Sequence, residues 1–159
     1  IPALLDRSTD PATRVFESGS ILLYLAEKFD AFVPAGHRGR TECLNWMFWQ
    51  MGSAPYLGGG FGHFYAYAPV KIKYCIDRFA METKRQLDVL DRHLANHEWM
   101  AGEYSIADMA TYPWVAAAMP MLERHRAEKV AGLEHVPGWL ERVGARPAVQ
   151  KGMAVPKVD

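Results

Sequence analysis

An excess of either charge is missing from this chain: eighteen Lys and Arg balance eighteen Asp and Glu over 159 residues. With no basic surplus to neutralise a phosphate backbone, the composition argues against nucleic-acid binding. Cysteine is scarce as well. Cys43 and Cys75 are the only two, and they form no paired motif, which leaves no disulfide framework and no cysteine-based zinc site. Both fall among apolar residues at helical spacing, so they read as buried, unreactive thiols in a reducing, cytoplasmic setting. No signal peptide or apolar run of membrane length is visible in these residues, so no membrane partner is expected. Internal repeats and low-complexity segments are absent too. His93, His97, His125 and His135 follow no metal-ligand spacing, and no metal is expected. The first residues are Ile1-Pro2, not Met, and β-prone sequence amounts to two short runs, too little sheet to be stable by itself. The chain is therefore expected to be a fragment, or a partly observed protein, lacking an N-terminal segment.

What is present is a globular composition, with half of the residues apolar. Residues 1 to 6 and Thr13 to Phe16 read as strands close enough to form a hairpin across the polar turn Ser8 to Pro11. A helix is predicted from Ser18 to Phe29, followed by a linker around Val33-Pro34-Ala35-Gly36. Arg40 to Met51 carries Cys43, Leu44, Met47, Phe48 and Met51 at the spacing of one buried helical face. A Gly-rich loop, continuing through the rings Phe61, Phe64, Tyr65 and Tyr67, separates it from a long helix over Pro69 to Asn96, with proline in its first turn. Ile72, Cys75, Ile76, Phe79, Thr83, Leu87, Leu90 and Leu94 form the stripe of that helix. Ser105 and Asp108 stand as a capping box for another helix, which Pro113 is expected to kink. Shorter helices follow near 137 to 143 and from Pro147. The pattern is mainly α, α+β overall: a β-β-α piece joined to an all-helical part.

The junction Val15-Phe16-Glu17-Ser18-Gly19-Ser20 carries the chemistry. The first turn of a helix presents unpaired backbone N–H groups and the positive end of the helix dipole, which suit a carboxylate. A side-chain carboxylate at the same place, Glu17, suits an ammonium group. Together they fit a ligand with amino and carboxyl groups on one carbon. Alternatively Ser18 or Ser20 is an ordinary N-cap, and Glu17 a charge favourable to the dipole.

These residues resemble the glutathione transferase superfamily: Ile1-Pro2-Ala3-Leu4, the junction with Ile21, Leu22, Tyr24 and Leu25, and later Ala101-Gly102 through Ser105-Ile106-Ala107-Asp108. Phe48-Trp49-Gln50, the aromatic loop 57 to 67 and Tyr74 to Phe79 are similar to the bacterial Nu class, known for glutathione-dependent disulfide-bond reduction with some peroxidase activity. The resemblance implies three segments: 1–32 as the C-terminal part of a thioredoxin-like glutathione-binding domain, 33–39 as linker, and 40–159 as the all-α C-terminal domain. It implies a cis Pro2, with the Ile1 backbone facing the cysteinyl part of glutathione, and Glu17 and Ser18 gripping the γ-glutamyl group. Gln50 is implied to reach toward glutathione, although some members place that glutamine one residue later, where this chain has Met51. Arg78 is implied to face the site, with an ion pair to Glu82 as its alternative. His63, Phe64 and Tyr65 are candidates to wall a second-substrate pocket, or else to pack on the core.

By the same resemblance, glutathione is the cosubstrate of a homodimer, and its thiolate attacks a disulfide, a peroxide or another small electrophile. The groups that activate the thiol belong to a segment upstream of Ile1, so no catalytic residue is assigned and the fragment alone is expected to be nearly inactive. A non-catalytic binding or assembly module of the same fold is the other reading.

Overall fold

The computed structural model describes residues 2–54, 56 and 60–155. Strands β1 (Ala3–Asp6) and β2 (Thr13–Phe16) pair antiparallel, with Ala3 opposite Phe16 and Asp6 opposite Thr13. Helix α1 (Ser18–Phe29) folds back on both strands. Asp6 makes the tie: its carboxylate accepts from the Tyr24 hydroxyl at 2.7 Å and pairs with the Lys28 ammonium. Those partners, Lys28 foremost, hold the Asp6 carboxyl well below its ordinary value.

Among the described residues, α-helices follow as α2 (Gly36–Ala54), α3 (Lys73–Leu94), α4 (Ile106–His125), α5 (Val136–Gly144) and α6 (Pro147–Met153). α2 packs on α4, α5 packs against α3 and α4, and α1 touches both α2 and α4. The core lies among these helices, where Cys43, Met47, Leu87, Leu90, Val115, Leu122, Trp139 and Val143 are buried. Two carboxylates knit it together. Asp91 of α3 accepts the backbone N–H groups of His135 and Val136 at 2.8 and 2.9 Å, capping α5 from 44 and 45 residues away. Asp108 forms the capping box with Ser105, and also accepts from the Met100 N–H at 3.2 Å and the Trp139 indole at 2.9 Å. Burial pushes the Asp108 carboxyl above its ordinary value against the pull of these donors.

The mainly α architecture, the hairpin, the extent of α1 and the capping box agree with the sequence. Several boundaries do not. α2 starts at Gly36, inside the linker read over 33–39, and runs on to Ala54. Phe48, expected on its buried face, is 69% exposed: Cys43, Met47 and Gln50 define the face that packs inward, and Phe48 falls outside it. α3 starts at Lys73, not Pro69. Ala68 is extended (φ −61°, ψ 131°), as a residue before proline prefers, and Ile72 is still extended at φ −100°. Ile72 is accordingly 46% exposed, and Cys75 is only partly covered. The stretch read as an open loop holds a π-helical turn, His63–Tyr67, whose carbonyls at Tyr65 and Ala66 accept from the Lys71 ammonium. α4 continues through Pro113 and Pro120 to His125.

Candidate functional site

Glu17 is the residue before α1, and its backbone is in the left-handed half of the map at φ 68°, ψ 126°. A residue with a side chain adopts such a conformation only under constraint from its surroundings. The Glu17 carbonyl takes the first helical bond, from the Ile21 N–H at 2.9 Å. The N–H groups of Ser18, Gly19 and Ser20 therefore precede the helical ladder. Ser18 and Ser20 both lie inside α1, and Glu17 makes no side-chain capping bond, so the ordinary N-cap alternative does not hold. The Glu17 side chain is exposed and has no hydrogen-bond or ion-pair partner among the described residues.

Two clefts meet at this junction, and Glu17, Ser20 and Leu23 line both. One, of about 450 Å³, runs along β2 past Arg14 and Tyr24. The other, of about 440 Å³, opens between α1 and α2 and is floored by Leu44, Met47 and Met51, with Phe48 at its side. The first is charged and the second largely apolar. Volumes of this size suit a small-molecule ligand.

The remaining candidates are placed as follows. Ile1, and with it the Ile1–Pro2 bond, lies outside the described residues. Gln50 is fully buried with neither amide atom hydrogen-bonded, and it lines neither cleft at Glu17. Met51, the alternative register, is the α2 residue that meets the junction: the Ser18 hydroxyl points at its sulfur across 3.9 Å. Arg78 lies 3.6 Å from Glu82 and lines neither cleft at Glu17. Glu82 is held chiefly by Arg85, which lowers its pKa. His63 is exposed and edge-on to Phe64; Phe64 lies against Phe79 with centroids 5.2 Å apart, and Tyr65 stacks on Phe61 at 5.4 Å. None of the three lines a cleft at Glu17, but Tyr65 lines a separate cleft of about 360 Å³ with Ala66, Ala117, Pro120, Met121 and Arg124. A further cleft, about 360 Å³ between α4, α5 and α6, shares no residue with the junction.

The strained backbone of Glu17 and the contact of Met51 with Ser18 were missed by sequence reasoning. No local pattern marks a positive φ at a glutamate. The signal for Met51 was available as the residue next to Gln50, but helical spacing assigns it simply to a buried face.

The model of the glutathione S-transferase C-terminal domain matches residues 60–147. The disulfide-bond oxidoreductase YfcG of Escherichia coli K12 is 42% identical over 96% of this chain and 71% of its own length. The chain belongs to the glutathione S-transferase family. A second E. coli protein, the disulfide-bond oxidoreductase YghU, is 55% identical over the whole chain and 56% of its own length. Among solved structures, a glutathione transferase from Streptococcus pneumoniae complexed with glutathione superposes with a TM-score of 0.84 at 48% identity, over 98% of this chain and 61% of that one. The chain thus spans less than two thirds of the length of these last two proteins. At the β-β-α junction of this family member, an exposed carboxylate with no partner among the described residues stands beside a helix N-terminus without a side-chain cap.

Proposed function

We propose that this chain supplies the γ-glutamyl clamp of a glutathione-dependent transferase and disulfide-bond oxidoreductase. In this reading Glu17 pairs with the ammonium of glutathione, while the first-turn N–H groups of α1 and the Ser18 hydroxyl take its α-carboxylate. One observation carries the proposal. Glu17 sits in a strained conformation beside an uncapped helix N-terminus, with no partner among the described residues, where two clefts meet. Strain of this kind persists where the surrounding fold enforces it, and it concentrates at ligand clamps. The complex of the S. pneumoniae transferase with glutathione, and the YghU and YfcG names, support the same ligand and chemistry.

The reaction is thiol–disulfide exchange. The glutathione thiolate attacks one sulfur of a disulfide, a new S–S bond forms as the old one breaks, and the second sulfur leaves as a thiolate. A hydroperoxide offers an electrophilic oxygen to the same nucleophile. The group that activates the thiol is assigned to no residue of this chain. Residues 1–32 act in this reading as the glutathione-binding part, with the connection shortened to 33–35 because the helical domain already begins with α2 at Gly36. A homodimer in the cytoplasm completes the reading. The exposed rings of Phe16, Phe48 and Tyr74 support an interface, and the free thiols Cys43 and Cys75 support a reducing compartment.

Calorimetric titration with glutathione tests the clamp. Loss of a charge-assisted bond costs about 1.5–3 kcal/mol, so Glu17→Ala is expected to weaken binding about ten- to hundredfold. An affinity equal to that of the unaltered protein overturns the assignment, and favours a non-catalytic module of the same fold.

A further inference from the structure

Met51 of α2 meets the first turn of α1 through its sulfur. The Ser18 hydroxyl donates toward Sδ at 3.9 Å and makes no other hydrogen bond among the described residues. Gly19, the next residue, is buried, and a Cβ built on it would stand 2.8 Å from the same sulfur. The thioether is thus seated directly on the backbone of the turn, where any larger residue at 19 would displace it. On its other side Met51 floors the cleft that Glu17 and Ser20 line.

A thioether is a weak acceptor on a flexible, unbranched side chain. It can orient a hydroxyl in the empty site yet release it at little cost to a carboxylate, which is a far stronger acceptor. A buried amide at the same place would compete with the ligand for Ser18. Gln50, one residue earlier, is turned into the core and is not available for the task.

We propose that Met51 is a positioning residue of the γ-glutamyl clamp: its sulfur holds the Ser18 hydroxyl in register with the first-turn N–H groups until the ligand carboxylate takes it. The proposal rests on the glutathione reading above, and concerns how Ser18 is used within it. Met51 acts through Ser18, so its contribution to binding exists only while Ser18 carries a hydroxyl.

A double-mutant cycle reads this coupling, with Kd for glutathione measured on the full chain and on Met51→Leu, Ser18→Ala and the double variant. Leucine keeps the apolar bulk on Gly19 and removes the acceptor. Met51→Leu is expected to weaken binding about threefold in the Ser18 background, and to change nothing further once Ser18→Ala is in place. Met51→Gln, which offers a stronger acceptor, is expected to weaken binding as well while leaving the folded state intact by circular dichroism. An equal loss from Met51→Leu in both backgrounds makes Met51 a packing residue only and overturns the proposal, as does no loss in either. Absence of glutathione binding by the unaltered protein is a different result: it removes the clamp reading itself. Binding that is lost in Glu17→Ala but insensitive to Met51→Leu retains the clamp and rejects the positioning role.

Discussion

Glu17→Gly separates what the fold wants at residue 17 from what the ligand needs. At φ 68°, ψ 126° a side chain is held in a sparsely populated region, which costs about 1–3 kcal/mol. Glycine reaches such values without a Cβ conflict, but it gives the unfolded chain extra freedom worth about 0.5–1 kcal/mol. The Glu17 side chain is exposed and has no hydrogen-bond or ion-pair partner among the described residues, so its removal costs no internal contact. The balance is a gain of about 1 kcal/mol for the free protein, or about 2–4 °C in Tm for a chain of this size. Glu17→Ala keeps the strained backbone and is expected to melt with the unaltered protein. In saturating glutathione the order reverses. Ligand at a hundred times Kd stabilises the unaltered protein by about 2.7 kcal/mol, while both variants forgo most of that increment. Differential scanning calorimetry with and without glutathione measures all six melting points. A Glu17→Gly variant no more stable than Glu17→Ala in the absence of ligand would refute the claim that residue 17 is strained, and with it the inference that strain is maintained there for binding.

Two further outcomes concern the frame that holds the site. Asp108→Ala strands the Met100 and Ser105 N–H groups and the Trp139 indole in the core. Urea unfolding is expected to show a loss of about 3 kcal/mol, and a loss below about 1 kcal/mol would mean the capping box is dispensable. The Asp6 carboxyl is held below its usual 3.8 by Lys28 and Tyr24, so its stabilising effect is fully present above that pH and fades as pH falls below it. Asp6→Asn is accordingly expected to flatten the acid limb of the stability curve between about pH 4 and 2; an unchanged slope there counts against the tie between β1 and α1.

The elements that local chemistry governs were legible in the sequence. Two β-prone runs across a polar turn formed the hairpin, and Ser105 with Asp108 three residues later formed the capping box. Helical periodicity located the helices but not always their ends or faces. The start of α3 was misread because Pro69 suits a helix N1 position as well as an extended lead-in, and the choice depended on where the rings of the preceding turn packed. Phe48 was misread because periodicity gives a stripe and not its edges: which flank of α2 is covered depends on where α1 and α4 lie.

The candidate site divides the same way. Sequence alone determined the acid, the hydroxyl and the helix start at residues 17 to 20, because a helix N-terminus has the same unpaired donors in any fold. Tertiary structure alone decided that Glu17 is strained and without a partner among the described residues, that Arg78 lies beside Glu82 and off both clefts, and that Met51 rather than Gln50 faces Ser18. Those outcomes turn on the rotation of α2 and α3 about their axes against α1 and α4. That rotation is fixed by which side chains fill the core, a sum over the whole domain that no local stretch of sequence contains.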